Sequence, residues 1–198
     1  MKVQKIGWAL ALLVFCARGG QYADGQAEAA GVRKIPVSAF VGGTGNWTGL
    51  YGGKNLGINA GLDVGLHSLW VLQPSFEIRA MYPVHDGHID SQKNILVGFR
   101  FDKNFNRLTP YVDVLYGLGK IVYDPARPNP TQTFAYTSSS SNVFSPGVGL
   151  EYRVVGPFSF KADAQIQRYS TPVTETGHIY AKPVTVGITY QLFTGRRH

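Results

Sequence analysis

Val184 to Phe193 reads V-T-V-G-I-T-Y-Q-L-F, with an apolar residue at every second position. Val184, Val186, Ile188, Tyr190 and Leu192 fall on one face and Thr185, Gly187, Thr189 and Gln191 on the other, the pattern of a strand that buries one side only. The same period of 2 governs almost everything from Ile35 onward, and no stretch of ten or more residues holds a helical period. Such a chain folds as sheet. What its apolar face meets, a core or lipid, decides between a soluble and a membrane protein.

Eight strands are expected, at about 35–43, 55–67, 69–82, 92–102, 109–123, 143–154, 157–169 and 180–193. Most exceed the usual globular strand and are long enough to cross a bilayer at a tilt. The connections alternate. Thr44 to Lys54, Pro83 to Ser91, Asp124 to Asn142 and Ser170 to His178 are long, whereas those at His67-Ser68, Lys103 to Leu108 and Val155-Gly156 are short. That alternation predicts a closed up-and-down antiparallel eight-stranded transmembrane β-barrel, with loops on one side and turns and both termini on the other. The 24 Gly, 11 Tyr and 11 Phe suit such a fold. Pro74 and Pro146 inside expected strands call for bulges or strand ends, and Tyr136 to Ser141 reads as a polar loop tip.

Seven of the eight strands are two-faced. Ser75, Glu77 and Arg79 oppose Trp70, Leu72, Phe76, Ile78 and Tyr82, and Lys161, Asp163, Gln165 and Gln167 oppose Phe158, Phe160, Ala162, Ala164 and Ile166. An eight-stranded barrel has an interior just wide enough for side chains. The apolar face is bulky and the polar face rich in Gly, so the polar face belongs inside. Aromatics near strand ends, among them Trp70, Tyr82, Tyr152, Phe158 and Phe193, suit interfacial girdles. The lumen is then expected to hold Asp63, Glu77, Asp102, Asp113, Glu151 and Asp163 with Arg79, Arg100, Arg153 and Lys161. Charges so confined must pair, which predicts a salt-bridged plug.

Residues 1–27 read as an export signal, with cleavage between 23 and 29: Lys2 and Lys5 precede the apolar run Ile6 to Cys16, which is too short for an anchor. Residues 28–198 are expected to form one barrel domain. Cys16, the only cysteine, lies in the signal, which excludes disulfides and cysteine metal sites from the exported chain. Loss of Lys2, Lys5, Arg18 and Asp24 leaves 16 basic and 11 acidic residues, net +5. That excess suits an anionic lipid surface. Without a basic cluster interleaved with aromatics it does not suit nucleic acid.

Three segments carry a family resemblance: L-T-P-Y-V-D-V-L-Y-G-L-G-K (108–120), S-P-G-V-G-L-E-Y-R (145–153) and the final V-T-V-G-I-T-Y-Q-L-F. On these, residues 35–193 resemble the eight-stranded barrel of the outer-membrane protein A type, and more closely the small stand-alone outer-membrane β-barrel domain proteins of Gram-negative bacteria. The resemblance implies an outer-membrane location, lipid and lipopolysaccharide as surroundings, recognition by the barrel-assembly machinery through Gly187, Tyr190, Leu192 and Phe193, and a barrel without a peptidoglycan-binding domain. A monomer with no cofactor and no catalytic residues is expected.

Candidate chemistry is sparse. His67-Ser68 is an adjacent pair at a turn, where a solvated histidine is the plainer reading, and the His-x-Ser-Asn signature of lipid A-modifying barrels is missing. His85-Asp86-x-His88 with Asp90 could gather a metal, though loop histidines are usually solvated. Asn46-Trp47-Thr48 matches a glycosylation sequon of little weight in a bacterial protein. No glycine-rich phosphate loop occurs. The expected role is structural or surface-interactive. A small diffusion channel, a lipid A-modifying enzyme and a soluble periplasmic ligand-binding barrel are the alternatives.

Overall fold

A computed structural model of the 198-residue chain describes residues 35–67, 71–85 and 90–193. The export signal, Trp70, Ser68 and the Asp86-to-His88 part of the histidine loop lie outside the described residues. Nine strand runs follow one another: β1 (Val37–Trp47), β2 (Lys54–Gly65), β3 (Gln73–His85), β4 (Asp90–Asp102), β5 (Leu108–Pro128), β6 (Ala135–Val155), β7 (Phe158–Gln165), β8 (Gln167–Ser170) and β9 (His178–Phe193). All pairings are antiparallel, and β9 returns to pair with β1 from Val37↔Phe193 to Trp47↔Lys182. The sheet is therefore a closed ring without free edges at barrel level.

The nine runs occupy eight ladder positions. β7 meets β9 from Phe158↔Tyr190 to Ala164↔Val184, and β8 continues in the same register from Gln167↔Ala181. The break at Ile166 has a chemical cause. The Ile166 N–H donates to the Pro146 carbonyl at 3.0 Å, but Pro146 has no N–H to return, so one rung is half made. The expected disturbance at Pro146 is thus an interruption in the neighbouring strand, with β6 itself running straight through. Pro74 stands second in β3, opposite Phe101, where a strand start tolerates it.

The largest departure from expectation concerns the connection Asp124 to Asn142. β5 and β6 run for 21 residues each, and most of that supposed loop, including Tyr136 to Ser141, is strand. Only 129–134 form a tip, which the Asn129 side chain closes by accepting the N–H groups of Thr133 and Phe134 at 2.8 and 3.1 Å. A ladder needs backbone partners, not apolar side chains, so a serine run can extend a hairpin. Connections 48–53 and 171–177 are no longer than 66–72. Strand overhang, rather than strict alternation of connection length, marks the loop side.

Side chains alternate as the sequence indicates, in β1 as well. Outward point Val41, Ile58, Leu62, Ile78, Ile95, Val97, Phe99, Val112, Val114, Tyr116, Leu118, Val148, Phe160, Val184, Val186 and Ile188, all more than a third exposed. Tyr82, Tyr152, Phe158 and Phe193 are exposed with them.

Candidate functional site

Inside the barrel the charged residues gather around two arginines. Arg79 on β3 is 1% exposed; its Nε donates to Glu77 Oε1 at 2.6 Å, Nη1 to Asp163 Oδ1 at 3.1 Å and Nη2 to Asp113 Oδ2 at 3.3 Å. Arg100 on β4 donates through Nη1 to Glu151 Oε1 at 2.8 Å and Asp63 Oδ2 at 3.3 Å, and its guanidinium lies 3.8 Å from the Tyr111 ring centroid. A guanidinium offers five N–H donors in a rigid planar fork, so it can serve several carboxylates at once. The third cation, Lys161, stands with Nζ 3.4 Å from the Phe40 centroid and 5.2 Å from that of Tyr111. Among the described residues it has no hydrogen-bond acceptor within reach.

The five carboxylates outnumber these three cations, and neutral donors make up part of the difference. Gln165 Nε2 donates to both Asp113 oxygens at 3.3 and 3.4 Å, Tyr111 Oη to Asp163 Oδ2 at 3.3 Å, and Thr189 Oγ1 to Glu151 Oε1 at 3.3 Å. Of the ten lumen charges named from sequence, these eight come together. Asp102 and Arg153 are half-buried near the turn end, opposite Tyr111 and Ser159 respectively.

Rings fill the space that glycines leave. A Cβ on Gly61 would lie 2.5 Å from Phe40 Cζ, and one on Gly149 would strike the Tyr111 ring. Toward the loops the lining changes. Ser145, Gln165, Gln167, Asn94 and Tyr169 form a hydrogen-bonded layer, with Ser145 Oγ donating to Gln165 Oε1 at 2.7 Å and Asn94 Nδ2 to Gln167 Oε1 at 2.9 Å. Above it Leu96, Leu115, Ile121, Val143, Ile179 and Ala181 make an apolar core, joined by Leu50 from connection 48–53 and Val173 from connection 171–177. The lumen is charged near the turns and apolar near the loops. Leu96, Leu115 and Val143 were legible: each shares its strand parity with Arg100, Asp113 or Gly147. The gap lined by Thr44, Asn46, Asn55, Met81 and Gln92 has no room for a water molecule.

The other expected features separate. Tyr190 and Leu192 face outward and Gly187 inward, where it abuts Gly42 on β1 so closely that a Cβ on Gly42 would lie 2.9 Å from the Gly187 Cα. The small pair lets the seam close. Phe193 ends β9 exposed. His67 and His85 are exposed at opposite ends of the barrel, and no three His, Cys, Asp or Glu side chains among the described residues are placed to hold a metal.

Four or five apolar side chains per strand face outward in sequence, as in Leu56, Ile58, Ala60 and Leu62 of β2. At about 6.6 Å per pair of residues and a tilt of about 40°, they cover roughly 20–25 Å of height, close to the apolar band of a membrane barrel. A closed eight-position ring with such a belt outside and its acids within is an integral membrane β-barrel.

Comparison with solved structures places the fold further. The chain is similar to Neisserial surface protein A, with a TM-score of 0.51 and 13% identity over 80% of this chain and 97% of that one. It is also similar to Ail, the attachment invasion locus protein of Yersinia pestis, with a TM-score of 0.50 and 11% identity over 80% and 98%. This is the fold of the small eight-stranded outer-membrane β-barrels, and the outer membrane is the location it defines. No protein-family model matches the sequence, and no curated protein matches it.

Proposed function

We propose that the protein is a non-conducting, non-catalytic outer-membrane scaffold whose purpose is to hold its β5–β6 hairpin rigidly above the lipid surface. One observation carries this reading: the barrel spends its interior on sealing itself, with a charged layer below and an apolar layer above, while β5 and β6 run on past the point where β4 and β8 stop pairing with them. A diffusion pathway requires continuous polar space, and Leu96, Leu115, Ile121 and Val143 interrupt it. The hairpin exposes Phe134 at its tip, and Arg127 lies over the Tyr51 ring at 4.9 Å, tying it to connection 48–53. Surroundings of lipid and lipopolysaccharide, assembly by the barrel-assembly machinery through β9, and a monomeric state belong to the same reading.

Planar-bilayer recording with the refolded full chain tests the seal. Flat traces are expected, and unitary steps above leak would replace the scaffold with a channel. Mass spectra of lipid A from cells with and without the protein test the catalytic rival. Identical spectra are expected, and a new lipid A species would establish an enzyme.

A further inference from the structure

The lumen holds charges of both signs, but the outward face carries charge of one sign at the belt. Asp63, Glu77, Asp102, Asp113, Glu151 and Asp163 all lie on the inward face, and among the described residues no acidic side chain faces outward at the level of the apolar belt. Five cations do face outward: Lys54 on β2, Lys93 on β4, Lys120 on β5, Arg168 on β8 and Lys182 on β9, all exposed or pointing with the exposed face. Their height is not random. Read up from the turn end, each follows four or five outward apolar residues: Phe101, Phe99, Val97 and Ile95 before Lys93; Val112, Val114, Tyr116 and Leu118 before Lys120; Leu192 through Val184 before Lys182. They ring the loop-side edge of the belt, where hydrocarbon gives way to headgroups.

Two of them are placed against each other. Lys93 and Lys120 are directly opposite across the β4–β5 ladder, an arrangement that opposes folding unless something anionic lies between or above the pair. Lys120 faces Ser140 on its other side. Lys93 Nζ is 5.8 Å from the Tyr82 ring centroid, on the neighbouring strand. On the far side of the ring, Trp47 is flanked in register by Lys54 and Lys182. Lys93, Lys120 and Tyr82 thus stand side by side on three neighbouring strands, two cations with an aromatic ring of the kind that anchors at a membrane interface.

We infer that Lys93 and Lys120, with Tyr82, form a docking site for the phosphate of a phosphorylated glycolipid headgroup in the outer leaflet. The inference rests on the outer-membrane scaffold reading and sharpens its lipid contact to one pair of side chains. A lipid occupies the site because the pair sits at the edge of a lipid-facing belt: the acyl chains of the same molecule lie against Ile95, Val97, Tyr116 and Leu118 directly below. A free anion would leave that apolar surface unused.

The test uses the full chain refolded into zwitterionic vesicles doped with either bisphosphorylated lipid A or its dephosphorylated form. The readout is the temperature midpoint at which the compact band on a cold detergent gel converts to the unfolded one. With bisphosphorylated lipid A the midpoint is expected to rise, and the rise should vanish in Lys93→Gln/Lys120→Gln, persist in Lys93→Arg/Lys120→Arg, and persist in Lys103→Gln at the opposite end of the barrel. The single variants Lys93→Gln and Lys120→Gln should each lose part of it, which keeps the test decisive if the double variant folds poorly. Equal midpoints for the unmodified chain in the two vesicles, or an undiminished rise in both single variants, overturn the site. An equal rise from inorganic phosphate in vesicles with dephosphorylated lipid A overturns the lipid assignment in favour of a free anion. Failure to give a compact band in any vesicle refutes the scaffold reading instead, so the two failures are distinct.

Discussion

Arg79 shows why buried charge in this barrel is a commitment. Three carboxylates, those of Glu77, Asp113 and Asp163, come from three different strands and meet on one guanidinium. Removing the cation leaves them facing one another with almost no solvent. Arg79→Ala is therefore expected to cost about 3–5 kcal/mol, read as a lowered urea midpoint of the refolded protein in detergent micelles. An unchanged midpoint would mean that the cluster holds nothing together. Glycine offers a matched pair at this scale. Gly61 lies under the Phe40 ring, whereas a Cβ on Gly43, on the outward face, meets nothing within 4 Å. Gly61→Val should cost about 1–3 kcal/mol through overpacking, and Gly43→Val should cost nothing measurable in the same urea titration. Equal effects would place the Phe40 ring elsewhere.

Among the elements, β6 and β9 show how the ladder tolerates chemistry and where it does not. The half-made rung at Ile166 follows from Pro146, so Pro146→Ala supplies the missing donor. Hydrogen exchange should find the new amide at 146 protected like its neighbours. The gain in stability should stay within about 1 kcal/mol, because the looser unfolded chain offsets the added hydrogen bond. A fast-exchanging amide at 146 would show that the break has another origin. β9 has no such latitude. Without Val184 to Phe193 the pairing edges of β1 and β7 would both face lipid unpaired, which a bilayer does not accommodate. A chain lacking these residues should show no heat-modifiable band and no outer-membrane fraction, and normal migration would disprove the seam as the closing event. The strands themselves were legible because period 2 is clean in all but the first of them. Their ends were not: the serine run before Asn142 carries no apolar alternation, and only backbone pairing with β5 shows it to be strand.

At the scale of the whole molecule, the inside-out arrangement was legible from one packing argument: the whole set of outward Phe, Tyr, Leu and Val side chains is too bulky for a lumen this narrow, whereas a face rich in Gly leaves room for its few large residues. The pairing of those charges was not, since strand parity gives a face and no height; height comes from register, which the seam β1–β9 sets. Parity puts Leu96, Leu115 and Val143 on the inward face, but the same blindness to height hid that they meet in one layer, and it hid the ring of outward cations. Orientation, too, is a whole-molecule property, and the sequence provides an unusually clean way to measure it. Cys16 is the only cysteine, so a single introduced thiol reports without interference once the export signal is gone. Gln132 lies at the tip of the β5–β6 hairpin and Asn106 in the turn between β4 and β5, each exposed and each at positive φ, 56° and 59°. Both sites require a left-handed backbone that cysteine adopts only under strain, so Thr131→Cys and Asn104→Cys beside them are the better probes. On intact cells a membrane-impermeant maleimide should label Thr131→Cys and spare Asn104→Cys until the outer membrane is permeabilised. The reverse pattern would put the hairpin in the periplasm, and with it the basic ring against the wrong leaflet.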